Sequence, residues 1–219
     1  MGADGRSSNV SKTQINQILQ DMFVGNRVSD KLEPIHHRIY CQRSGTSSHT
    51  STIAKYVRFY IDNMSHELGN YPPVEAAASI MREIIYNNAG SLSASMICSG
   101  WDPYKGYQIY SVNQTGFFKE ANWAMSGSGS TFIWGYFDAN YRPDMKKEEA
   151  IEFVKSAIAL ACFRDGSSGG IIRLVTITPE KVERSFVPYH DFKITHTLVL
   201  LLYGVEVLDE FFSLSLIHI

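Results

Sequence analysis

Residues 74–99 read VEAAASIMREIIYNNAGSLSASMICS, and a change of period inside them decides the fold class. From Val74 to Asn88, the residues Ala77, Ile80, Met81, Ile84 and Ile85 recur at helical spacing behind Pro72 and Pro73, which punctuate the start. From Leu92 to Ser99 that spacing is lost and the stretch reads as a strand. A second strand, Tyr107 to Val112, comes after a turn rich in Asp102, Pro103 and Gly106. Upstream, Ser48 to Leu68 sets Ile53, Val57, Tyr60, Ile61, Met64 and Leu68 in one helical stripe. Downstream, a third helix succeeds the Gly/Ser cluster at residues 126–130. A fourth, Lys147 to Phe163, carries Ile151, Val154, Ala157, Ile158 and Ala161 on one face. Ile171–Thr178 and Val182–Val187 read as closing strands around a Pro179–Glu180 turn. The order is helix pair, strands, helix pair, strands. Segregated helices and meandering strands predict an α+β layered sandwich rather than alternating βαβ units. There is no internal repeat.

Composition narrows the function. A chain of 219 residues, 44% hydrophobic, suits one globular domain with a sizeable core. A net charge of -2 and the lack of a basic block argue against nucleic-acid binding, because nothing would neutralise phosphates. Cys41, Cys98 and Cys162 are far apart in sequence and show no metal-ligand spacing, which predicts reduced thiols in cytosol or nucleus. The polar start, Met1 to Arg6, shows no signal peptide, so Asn9, Asn63 and Asn113 read as chance glycosylation triplets. The longest apolar stretch, Leu198 to Tyr203, is too short to span a bilayer, and Glu206, Asp209 and Glu210 interrupt its continuation.

Three glycine-serine clusters stand out: Arg43-Ser44-Gly45-Thr46, Ser126-Gly127-Ser128-Gly129-Ser130 and Asp165-Gly166-Ser167-Ser168-Gly169-Gly170. Each sits where one element hands over to another, so turn chemistry alone accounts for any one of them. A dinucleotide fingerprint is excluded because Gly127 and Gly129 lack the third glycine and the βαβ context. A phosphate loop is excluded because no Gly-Lys-Ser/Thr comes after them. Such clusters can present backbone N–H groups and hydroxyls to a developing oxyanion. Asp165, three residues before Ser168, can orient a neighbouring amine or hydroxyl. Lys31 reads either as a solvated lysine or as a cation lowering the pKa of a nearby nucleophile.

Taken in order, Gly2-Ala3-Asp4 before Arg6, Asn26-Arg27-Val28-Ser29-Asp30-Lys31-Leu32, Arg43-Ser44-Gly45, Gly127-Ser128-Gly129-Ser130 and Asp165 to Gly170 resemble the beta subunits of the proteasome core particle. Within them the caspase-like beta-1 class is most similar, over residues 1–9 and 21–190. The resemblance implies a four-layer αββα sandwich of the N-terminal-nucleophile hydrolase fold. It implies a threonine endopeptidase of ubiquitin-dependent protein breakdown, in cytoplasm and nucleus. The exposed threonine's own α-amine serves as base. By motif position, Asp4 resembles the aspartate near the nucleophile and Lys31 the pKa-lowering lysine. Ser128, Asp165 and Ser168 resemble the groups holding the terminal amine and its water, and the Gly45 N–H the oxyanion donor. Arg43 resembles the class-defining guanidinium that favours acidic side chains before the scissile bond. Ser7, Ser8 and Ser29 match pocket and substrate-strand positions. The implied partners are other alpha and beta subunits and unfolded polypeptide substrates, with no nucleic acid or membrane. No metal or cofactor is implied.

Three departures accompany the resemblance. The family's nucleophilic threonine lies about a dozen residues before the Gly-Ala-Asp segment, where this sequence begins with Met1. The opening strand and nucleophile are therefore expected to be missing, and a sheet edge left unpaired. Residues 10–20 form an insert whose removal restores family spacing. Val10-Ser11-Lys12 and Leu19-Gln20 can be encoded by splice-like codons, so the insert reads as a translated intron or as a genuine loop expansion. The domain is expected to span residues 1–193, succeeded by a 194–219 tail without family character, which reads as mispredicted sequence or as an extension wrapping a neighbouring subunit. Two other functions compete: a non-catalytic structural beta subunit, and a non-proteasomal N-terminal-nucleophile amidohydrolase. The retained Lys31, Ser128, Asp165 and Ser168 weigh against the first, and Arg43 with the Asn26–Leu32 segment against the second.

Overall fold

The computed structural model describes Asn26 and residues 28–192. Asp4, Ser7, Ser8, the 10–20 segment and the tail lie outside the described residues. Among the described residues, seven strands and four α-helices alternate in blocks: β1 (Leu32–His36), β2 (Ile39–Gly45), α1 (Ser47–Leu68), α2 (Val74–Asn87), β3 (Ala94–Asp102), β4 (Gly106–Val112), β5 (Phe118–Glu120), α3 (Trp134–Asn140), α4 (Lys147–Arg164), β6 (Ile171–Ile177) and β7 (Val182–Pro188). A 3₁₀ turn, Ser128–Phe132, leads into α3. Strands β1 to β5 form one antiparallel sheet in sequence order, and β6 pairs antiparallel with β7 in a second.

The apolar stripes explain the packing. Ile53, Val57 and Ile61 of α1 and Ala77, Met81 and Ile85 of α2 are buried against Cys41, Met96, Cys98 and Val112 of the large sheet. Burial of each such large side chain contributes on the order of 1.5–3 kcal/mol relative to exposure. Two members of the expected α1 stripe, Tyr60 and Leu68, turn out to be exposed, because the buried strip is narrower than the apolar one. A second core joins Phe137 of α3 and Phe153, Ala157 and Ala161 of α4 to Ile172 and Leu174 of β6.

Among the described residues two strands, β1 and β2, precede the first helix pair, where the periodicity predicts helices first. Pro34, which cannot donate to a ladder, sits in β1 at the end of the sheet order, where a missing N–H is tolerated. Its carbonyl accepts from Arg58 Nε of α1 at 2.8 Å. Helix α1 ends at Gly69 in the left-handed region (φ 60), the usual stop for a helix. The third predicted helix is a 3₁₀ turn continued by seven residues of α-helix. Cys41 and Cys98, remote in sequence, are direct cross-strand partners on β2 and β3. Both remain free thiols, and burial raises them, Cys98 to about 12.

Candidate functional site

Asp165 comes directly after the last residue of α4, and the chain turns there. Its backbone N–H donates to Ala161 O at 2.8 Å, and its carbonyl accepts from Ser168 N at 3.0 Å. The side chain is buried and fully engaged. Ser128 Oγ and Ser168 Oγ both donate to Oδ2, at 2.7 and 2.6 Å, and Ser167 N donates to Oδ1 at 3.0 Å. Burial works to raise this carboxyl, but the bonds donated by Ser168, Ser128 and Ser167 outweigh it and hold the group below the ordinary carboxylate range. An ionised acceptor therefore draws two hydroxyls, from separate parts of the chain, to one oxygen.

A second network joins this cluster to β2. Ser44 Oγ donates to Ser95 O at 2.9 Å and meets Ser126 Oγ at 2.5 Å; Ser126 Oγ in turn donates to Ser95 Oγ at 3.0 Å. The loop that carries Ser128 is thereby fastened to the strand end that carries Gly45. Gly45 has φ 99, and a Cβ there would stand 2.6 Å from Ser93 O, so only glycine fits. In the sequence, Ser44, Ser95 and Ser126 carry no signal beyond membership of the first two glycine-serine clusters and one strand position.

Lys31 touches the first cluster and shares a cavity with the third. Its carbonyl accepts from Arg43 N at 3.1 Å. Its charge and that of Asp165 both reach the Cys162 thiol, which burial, reinforced by Asp165 and opposed by Lys31, pushes up to about 11. Lys31, Ser29, Gln42, Cys162 and Ser168 line a cavity of about 1480 Å³. Ser29 is exposed, and its carbonyl accepts from Arg173 Nε at 3.3 Å.

Arg43 projects from β2 toward the start of α1. Its Nη2 donates to Asp30 O at 2.9 Å and its Nη1 to Thr50 Oγ1 at 3.2 Å, while Nε stands 3.5 Å from Glu33 Oε2. Nε is buried and has no hydrogen-bond acceptor among the described residues, since the Glu33 contact is an ion pair without hydrogen-bond geometry. The structure thus brings Ser128, Asp165 and Ser168 into direct contact and joins Arg43 to Lys31 through the backbone.

The family model for proteasome subunits matches residues 16–177, from within the 10–20 segment to the end of β6. The chain belongs to the proteasome beta-subunit family. Proteasome subunit beta type-6 of Dictyostelium discoideum is 43% identical over 188 residues, covering 86% of this chain and 83% of its own. Proteasome subunit beta type-1 of Saccharomyces cerevisiae is 40% identical over 162 residues, covering 74% and 75%. Proteasome subunit beta type-9 of Homo sapiens is 44% identical over 164 residues, covering 75% and 74%. The mixed sheet-and-helix content of the chain is consistent with the hydrolase-like fold of this beta-subunit family. Among the described residues no helix is long and apolar enough to cross a membrane, and no group of three or more His, Cys, Asp or Glu could hold a metal.

Proposed function

We propose that this proteasome beta subunit belongs to the caspase-like class and works as a threonine endopeptidase cleaving after acidic residues. The nucleophile in this reading is a threonine upstream of Gly2. The observation that carries it is the convergence of Ser128 and Ser168 on one oxygen of a buried, ionised Asp165. A carboxylate so held can orient the hydroxyls around a terminal amine and its water, the task an amine acting as general base requires. Lys31 supplies positive charge beside that place, and the Gly45 N–H the oxyanion donor. Arg43 supplies the acid-selective end of the pocket through its guanidinium charge. Asp4, Ser7, Ser8 and Ser29 complete the site by motif position.

The same reading gives the domain the four-layer αββα arrangement over residues 1–193. It places the subunit in the inner beta ring among alpha and beta neighbours, in cytoplasm and nucleus, acting on unfolded polypeptides without metal or cofactor. The test uses assembled core particles carrying the whole subunit. Reporters ending in Glu or Asp should be cleaved in preference to one ending in Leu, and Arg43→Leu should lower that ratio about tenfold or more, the scale of one lost charge-assisted contact. Equal cleavage of both reporters by the unmodified particle would remove the class assignment. No Thr-dependent cleavage of any reporter would leave a structural subunit.

A further inference from the structure

Glu33 on β1 reaches the guanidinium of Arg43. Its two oxygens are divided between two arginines: Oε2 lies 3.5 Å from Arg43 Nε, and Oε1 accepts from Arg58 Nη2 at 3.2 Å. Arg58 is a fixed partner, because its Nε donates to Pro34 O at 2.8 Å and its Nη2 reaches the same carbonyl. Arg43 is fixed as well, through Asp30 O and Thr50 Oγ1. The Glu33 side chain is 26% exposed and that of Arg43 only 10%, so the pair is shielded from much of the solvent that would otherwise screen it. The Arg43 Nε–H nevertheless finds no acceptor among the described residues, since Glu33 stops at ion-pair distance.

We propose that Glu33 is a second specificity-determining residue, whose carboxylate competes with the acidic side chain of a peptide substrate for Arg43 and lowers the preference Arg43 confers. The inference rests on the assignment of Arg43 to the acid-selective pocket. An incoming Asp or Glu side chain gains the Arg43 charge but meets the Glu33 charge beside it, and two carboxylates on one guanidinium repel. Arg58 moderates the effect by drawing off part of the Glu33 charge. Because the competition concerns binding of a side chain and not the reacting carbonyl, it acts on KM more than on kcat.

The experiment measures kcat and KM in assembled core particles for reporters ending in Glu, Leu and Lys. Glu33→Gln should raise the Glu-over-Leu ratio of kcat/KM about threefold to tenfold, mainly through a lower KM for the Glu reporter. It should also reduce cleavage of the Lys reporter. Arg58→Gln, which leaves Glu33 a stronger competitor, should lower the Glu-over-Leu ratio, and it decides the matter if Glu33→Gln particles do not assemble. Arg43→Leu separates the role of Glu33 from the assignment beneath it. If Arg43→Leu abolishes acid preference while Glu33→Gln and Arg58→Gln leave the ratio unchanged, the role of Glu33 is overturned and the assignment of Arg43 survives. If Arg43→Leu changes nothing, both fall together.

Discussion

Asp165 has a structural duty set by the hydrogen bonds it accepts, and in the proposed function a chemical one. Two serine hydroxyls and one backbone N–H converge on its carboxylate, and their bonds overcome the burial that would otherwise favour the neutral acid. Asparagine at this position removes the charge and turns one oxygen, facing either the serines or the Ser167 N–H, into an amide nitrogen. In assembled particles Asp165→Asn should lower kcat about a hundredfold, the lower end of what proton-transfer groups contribute, with KM changed little. A loss confined to KM would contradict its assignment to the amine-holding cluster. The direction of the shift sets the sign of its pH effect. Its folded pKa is depressed, so the stability it contributes is present above the ordinary carboxylate pKa of about 3.9 and is lost as pH falls through the folded value.

At the scale of elements, the start of α2 depends on a residue outside the helix. Pro73 occupies the N-cap and offers no side-chain hydrogen bond. Asp102, at the end of β3, supplies the missing acceptor: its Oδ2 takes Val74 N at 2.9 Å and Gln108 Nε2 at 2.7 Å, and its Oδ1 takes Tyr104 N and Lys105 N. Burial works to raise this carboxyl, but the bonds from Val74, Lys105, Gln108 and Tyr104 bring it below its ordinary value. Asp102→Ala should cost about 2–3 kcal/mol, a lost cap together with buried donors left unpaired. Denaturant unfolding would measure the loss, and hydrogen exchange should quicken first at Val74, Tyr104 and Lys105. Unchanged exchange at Val74 would mean the helix start is held by something else. The helices themselves were legible: apolar residues at 3.6 spacing placed α1, α2 and α4 within a residue or two of their observed ends. Strands β1 and β2 were not, because Pro34, Gln42 and Arg43 break the alternation that marks a half-buried strand. The Asp102 cap was not legible either, since its partner Val74 lies 28 residues away. Motif position singled out Ser128, Asp165 and Ser168, which the structure brings into contact, whereas Glu33, Ser44, Ser95 and Ser126 gain meaning only once β1, β2, β3 and the loop are brought together.

At the scale of the whole molecule, residues 28–30 connect the two sheets near the cavity, and the connection is made by arginines from the smaller sheet. Arg173 of β6 donates to Val28 O at 2.7 Å and to Ser29 O at 3.3 Å, while Arg184 of β7 pairs with Asp30. Asp30 also passes its carbonyl to Arg43 of β2, so its backbone faces one sheet and its side chain the other. The two arginines should not contribute equally. The Arg184–Asp30 pair is about two-fifths exposed on both sides, and pairs of that kind contribute about 0–1 kcal/mol because solvent screens them and ordering two long side chains is costly. Arg173 instead satisfies two backbone carbonyls of one short segment, fixing its path. Arg173→Ala should therefore raise hydrogen exchange or protease cutting across residues 28–31 about tenfold, and Arg184→Ala less than about threefold. Since Ser29 and Lys31 stand in that segment, and Asp30 O in it also holds Arg43 Nη2, Arg173→Ala should also weaken reporter cleavage. A larger opening from Arg184→Ala than from Arg173→Ala would show that the surface ion pair, and not the carbonyl contacts, holds the two sheets in register at the site.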